Sequence, residues 1–234
     1  MKKIILLLSL MVFFWGKLLA QVDIVTAFTA IQPVNLPYYG TNSDQLQAPQ
    51  RSFHFPAALW GNRLNVNLWK DLGLTVPLID NEFVDWVSIY RRFIPSNGSY
   101  YLGVIAIGVG DNGKRMLVTA TSAGAYIDAL EVSVGGYYGQ GSQYWDFQVK
   151  QWKIEANMQV TVYRLKPTSS TPIMFDKNPT ILATINAQRI DEIYQINPSG
   201  QFIKINEIVY RPKNYSLSTF YDNTIYIWDG NEVP

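Results

Sequence analysis

Between residues 152 and 162 apolar and polar side chains alternate without a break. Trp152, Ile154, Ala156, Met158, Val160 and Val162 are apolar, while Lys153, Glu155, Asn157, Gln159 and Thr161 between them are polar. A period of two with one apolar face marks a half-buried antiparallel strand or a tight hairpin. Around this stretch the same signal recurs. Residues 100–109 form an apolar run closed by Gly110, Asp111, Asn112 and Gly113, a tight-turn sequence. Residues 114–121 follow, then a Ser-Ala-Gly turn at 122–124 and a second strand-like run at 126–134. Further on, residues 185–196 and 201–210 flank Asn197, Pro198, Ser199 and Gly200 and predict another hairpin. Residues 225–228 (Ile-Tyr-Ile-Trp) predict a last edge strand, and residues 167–179 a loop.

The first hundred residues are less regular. Residues 22–31 predict a first strand, and residues 32–50, with Pro33, Pro37, Gly40, Asn42 and Pro49, a loop. Ile79, Phe83, Trp86, Val87 and Tyr90 recur at helical spacing behind Asp80, a suitable N-cap. The same stretch is rich in Val, Ile, Trp and Tyr, which favours a strand. The spacing predicts one short helix near residues 80–90. Taken together, the pattern predicts an all-β fold, an antiparallel β-sandwich or curled β-meander. Residues 21–234 form a single domain, less regular over 21–95 and built of hairpins over 96–234.

One internal similarity stands out. Residues 123–132 (AGAYIDALEV) line up with 199–208 (SGQFIKINEI), matching Gly124 with Gly200, Tyr126 with Phe202, Ile127 with Ile203 and Glu131 with Glu207. Upstream, Arg115 and Arg189 fit with a two-residue gap. Two readings are open: a duplicated unit, or two hairpins that each need Gly in the turn and aromatic or β-branched residues after it. The runs Leu117-Val118-Thr119-Ala120-Thr121, Gly124-Ala125-Tyr126-Ile127-Asp128 and Tyr194-Gln195-Ile196 with Gly200-Gln201-Phe202 resemble a pattern in small exported bacterial β-rich proteins of no known activity. That resemblance implies a class and an address, an exported β-rich protein, and no chemistry.

The N-terminus changes the picture of where the domain starts. Lys2 and Lys3 precede an apolar run from Ile4 to Trp15, and Leu18, Leu19 and Ala20 precede Gln21. This is the layout of a secretory signal with cleavage after Ala20, although Leu18 stands where a small residue is usual and Lys17 interrupts the segment before it. The run is shorter than the ~20 residues that span a bilayer, and no later segment is apolar enough for a second span. We expect an exported protein, in the periplasm, at the cell surface or secreted. The chain has 19 basic and 18 acidic side chains. Removing Lys2, Lys3 and Lys17 leaves 16 basic against 18 acidic, a net charge of −2 with no basic stripe, which argues against nucleic acid as a partner. Apolar residues make up 48% and charged ones 16%, enough to build a core. The absence of cysteine excludes disulfides, thiolate metal sites and a cysteine nucleophile.

Candidate chemistry is sparse. Gly108, Gly110 and Gly113 satisfy the spacing of a dinucleotide fingerprint, with Asp128 at a suitable distance, and Gly113-Lys114 ends a P-loop-like spacing. Both readings need a helix after the last Gly, whereas Val118, Thr119 and Thr121 follow, and Arg115 stands where a P-loop needs Ser or Thr. A hairpin turn is the expected outcome. His54, between Phe53 and Phe55, is the sole histidine and reads as structural. Asp128, Glu131, Asp146, Asp191, Glu192 and Glu207 are the acids that a glycosidase pair would draw on, but Asp191 and Glu192, adjacent on a strand, point to opposite faces. The most suggestive feature is residues 135–145, where Tyr137, Tyr138, Tyr144 and Trp145 sit among glycines and amides and suit stacking on a flat ligand. We expect no catalytic residue, cofactor or metal, and a binding or structural role at the envelope or outside the cell, with a glycan or another envelope protein as partner. The alternative is a carboxylate-dependent hydrolase acting on envelope or extracellular polysaccharide.

Overall fold

The structure is a computed structural model. It describes residues 25, 27–40, 53–54, 84–109, 112–136, 143–144, 149–168, 173–174, 184–216 and 227. Fourteen strands run through these residues: β1 (Pro33–Val34), β2 (Tyr38–Gly40), β3 (Phe53–His54), β4 (Val84–Phe93), β5 (Tyr100–Val109), β6 (Asn112–Thr121), β7 (Tyr126–Gly136), β8 (Gln143–Tyr144), β9 (Val149–Ile154), β10 (Gln159–Pro167), β11 (Ile173–Met174), β12 (Thr184–Ile196), β13 (Phe202–Val209) and β14 (Lys213–Ser216). The expected all-β architecture is present: two mainly antiparallel sheets face each other in a sandwich-like arrangement.

The first sheet is ordered β1-β4-β5-β6-β7, with β3 also on β4, and the second β13-β12-β10-β9-β2, with β14 also on β12. A separate pair joins β8 to β11. In the first sheet most neighbours are also neighbours in sequence, as short connections dictate. Across both sheets the exceptions are β10 with β12, β14 with β12, and two N-terminal strands: β1 pairs parallel with β4, and β2 crosses to the second sheet to pair with β9.

The apolar positions of both sheets meet in one core. Phe93, Tyr100, Leu102, Val104, Leu117 and Val132 from the first sheet pack with Trp152, Ile154, Met158, Val160, Val162 and Ile196 from the second. The alternation over 152–162 thus resolves as a hairpin, β9 to β10, with Val160 opposite Ile154 and Val162 opposite Trp152. Trp152 lies in an aromatic cluster with Tyr38 and Phe93 at 5.4 and 6.2 Å between ring centres. Its indole lies so close to Gly40 that any side chain there collides with it. That close approach explains a glycine at the end of β2.

Three connections share one turn. In each, the N–H of the first residue donates to the carbonyl of the fifth, and the N–H of the fourth donates to the carbonyl of the first. These pairs are Thr121–Ala125 and Gly124–Thr121, Glu155–Gln159 and Met158–Glu155, and Asn197–Gln201 and Gly200–Asn197. The fourth residue takes a positive φ each time: 82° at Gly124, 66° at Met158 and 87° at Gly200. This is the type I turn followed by a left-handed residue that joins antiparallel strands. The similarity of 123–132 to 199–208 coincides with two copies of it. The third copy, at 155–159, has no Gly, so the turn recurs here without the sequence match.

Several expectations are corrected. The helix near 80–90 is absent over its described part: residues 84–93 are strand β4, flanked by β1, β3 and β5, and the β-branched and aromatic content prevailed over the helical spacing. Residues 79–83 lie outside the described residues. Residues 27–30 are helical rather than strand. Phe28, on this turn, is fully buried and stacks on Tyr101 at 5.2 Å, covering the outer side of the first sheet. The expected loop at 32–50 contains β1 and β2, and the expected loop at 167–179 contains β11. Of the expected edge strand at 225–228 only Ile227 is described, in a turn, and the other three residues lie outside the described residues; β14 was not anticipated.

Candidate functional site

The residues singled out for ligand stacking are placed unevenly. Tyr137, Tyr138 and Trp145 lie outside the described residues. Tyr144 is in β8, opposite Ile173 of β11. The glycine pattern at 108–113 falls across the β5–β6 hairpin, with Gly108 opposite Gly113 and Val109 opposite Asn112. A strand follows it, not the helix that a phosphate cradle requires. His54 is in β3, opposite Ser88.

Four of the acids are tied into the fold. Asp128 accepts the backbone N–H of Ala129 at 2.8 Å and, across the two sheets, that of Phe202 at 2.8 Å. Asp191 and Glu192 lie on opposite faces of β12, as expected. Asp191 belongs to a buried cluster that sequence reasoning missed. Arg189 and Asp191 are 5% and 4% exposed and form a two-pronged ion pair, Nε to Oδ1 and Nη2 to Oδ2, both at 2.7 Å. The guanidinium lies over the rings of Tyr163 and Tyr210 at 5.3 and 4.7 Å, and the Tyr210 hydroxyl donates to Asp191 at 3.2 Å. Arg189 Nη1 also donates to the Ile227 carbonyl at 3.1 Å, while the Ile227 N–H donates to Oε1 of buried Gln151 at 2.9 Å. The signal was available: opposite charges two apart on a strand share a face. Burial raises the Tyr163 hydroxyl above its usual range, against the lowering influence of nearby Lys153. These bonds tie β12 to Tyr210 and Ile227, and we read the cluster as a structural lock.

Glu192 and Glu207 belong to a second, more open cluster. β13 and β14 lie along the same side of β12 as one long interrupted strand. The register of β12 with β13 slips between Ile193 and Tyr194, where Ile205 is the extra residue of a bulge. The bulge brings Lys204 and Glu207 to one side of β13. Lys204 Nζ donates to Glu192 at 3.1 Å and also to Glu207, and Arg164 Nη2 lies 3.4 Å from Glu192. The hydrogen bonds from Lys204 to Glu207 and Glu192 hold its ammonium above the usual range, and the same ammonium holds Glu207 below the usual carboxylate range. Arg164 Nε has no hydrogen-bond partner among the described residues. Along the same strand Ile203, Ile205 and Val209 are 47%, 52% and 45% exposed. Among the described residues β13 ends its sheet, so its outer edge carries no pairing strand.

No family model, no curated protein and no solved structure that was compared matches the chain.

The β13 region combines a strand edge unpaired among the described residues, protruding aliphatic side chains and a row of alternating charges.

Proposed function

We propose that the protein is exported and acts by binding another protein, at the cell envelope or outside the cell, through the open edge of β13. The observation that supports this reading is the exposure of Ile203, Ile205 and Val209 on one edge strand. Large aliphatic side chains grouped at a sheet edge favour burial against a partner, and the unpaired backbone groups offer hydrogen bonds for an added strand. The Lys2-Lys3, apolar run and Ala20 arrangement supports export.

The test has two arms. Intact mass of the protein recovered from outside the cytoplasm is expected to correspond to a chain beginning at Gln21, and recovery of only the full-length cytosolic species would defeat the export reading. Purified protein is expected to be retained on envelope fractions of the producing cell. The triple substitution Ile203→Ser, Ile205→Ser, Val209→Ser should lower that retention about tenfold or more, with little change in Tm. Equal retention of the variant would refute binding through this edge.

A further inference from the structure

We propose that the partner of β13 is a second copy of this chain, paired antiparallel with it about a two-fold axis between Ile205 and Asn206. This rests on the reading that the β13 edge is a binding surface, and it names what binds there.

The argument is charge complementarity along the strand. β13 reads Phe-Ile-Lys-Ile-Asn-Glu-Ile-Val. Read in either direction it presents two apolar residues, one charged residue, two central residues, one charged residue and two apolar residues, with the charge sign inverted. A two-fold antiparallel pairing therefore sets Lys204 opposite Glu207 of the second copy, and Glu207 opposite its Lys204. Ile203 then faces Ile208 of the second copy, and Phe202 faces its Val209. Residues directly opposite in an antiparallel pair share a face, and opposite charges there attract while like charges repel. Other registers lose this match: moving the axis onto Ile205 sets Ile203 against Glu207.

Three features of the structure favour this occupant. Ile203 and Ile205 are about half exposed in the single chain and are covered in the pair. Lys204 and Glu207 are already brought to one side of β13 by the bulge, so the pair makes an alternating four-charge cluster without a new burial of unpaired charge. The Phe202 N–H is capped by Asp128, which ends the available edge at Phe202. The pairing is thus confined to β13 and joins the second sheets of two copies into one. Such a contact is isologous and closed, so it gives dimers and not fibres.

Charge reversal tests it. Sedimentation of the full chain over a concentration series is expected to show a monomer–dimer equilibrium. Lys204→Glu and Glu207→Lys should each weaken self-association about tenfold or more, because each sets two like-charged pairs across the axis. Because Lys204 also pairs with Glu192 and Glu207 within one chain, Tm is measured for each variant so that a folding defect is told apart from lost pairing. Mixed in equal amounts, the two variants should form a heterodimer, because every cross-strand pair is then opposite in sign. The double variant carrying both substitutions should dimerise like the wild type.

A wild-type chain that stays monomeric at all concentrations overturns the proposal. So does a dimer indifferent to both reversals, or a mixture of the variants that stays monomeric. If the chain is monomeric but the triple serine variant still loses retention on envelope fractions, the β13 edge binds a different protein. In that case this inference fails while the binding reading stands.

Discussion

Met158 carries a cost and a benefit at one position. Its φ of 66° is a conformation that disfavours any residue with a Cβ, by about 1–2 kcal/mol. Its side chain is fully buried and its carbonyl accepts the N–H of Ile196 at 3.0 Å. Removing a buried side chain of this size costs about 2–5 kcal/mol, so burial outweighs strain. Met158→Gly is therefore expected to destabilise the protein by roughly 1–3 kcal/mol in denaturant unfolding despite relieving the backbone. At Gly200, where φ is 87° and a Cβ would meet Ile127 and Tyr100, the relation inverts: any side chain adds backbone strain and crowds its neighbours. Tyr100 gives a pH signature. Its hydroxyl donates to Asn97 at 2.9 Å, and burial pushes its pKa up to about 12. A raised folded-state pKa means the contribution is complete below the unfolded value near 10 and is lost as pH rises from there through about 12. Unfolding free energy should fall over that window, and Tyr100→Phe should flatten the fall. An identical slope in the variant would assign the alkaline loss elsewhere.

At the scale of elements, β12 organises the second sheet, because its two faces do different work. The alternation that makes a strand also sorts Arg189 and Asp191 from Glu192 and Tyr194. The Arg189–Asp191 pair is buried, and removing one partner from such a pair leaves an uncompensated charge costing about 3–5 kcal/mol. Asp191→Asn is expected to lose that much in denaturant unfolding, while Arg189→Met with Asp191→Leu together should lose distinctly less. The strands that were legible in the sequence are those whose turns and alternation agree, namely β5 to β7, β9, β10, β12 and β13. Those missed failed for physical reasons. In β4, Trp86, Val87 and Tyr90 happen to fit both a helical stripe and a strand between two neighbours, and only the pairing with β5 decides. The two residues of β1, the three of β2 and the four of β14 are too short to show a period, and they exist because longer strands offer them an edge. The candidate site was illegible for a related reason. Lys204 and Glu207 are three apart, which in a regular strand places them on opposite faces; the bulge at Ile205 reunites them.

For the molecule as a whole, the two sheets are held together by their shared core and by polar links near the β7 and β13 margin. Thr119 Oγ1 donates to the Gly200 carbonyl at 2.6 Å, and Asp128 receives the Phe202 N–H. Asp128→Ala should cost about 1–3 kcal/mol, because it strands that amide without a partner. Amide exchange at Phe202 should accelerate more than at Ile193, where the ladder with β12 is intact; uniform acceleration would show that the link is not local. The opposite margin is different in kind. There the chain itself passes from one sheet to the other between β1 and β2, and β2 closes on β9 with Tyr38 opposite Ile154. A ribosome delivers the chain from its N-terminus, so Tyr38 emerges long before the strand it needs. Synthesis must pass Ile154 before that margin can close, and until Trp152 is made Tyr38 and Phe93 lack their third ring. A seam at the first described strands thus waits for β9, and a purified chain truncated before residue 149 should leave Tyr38 open to labelling.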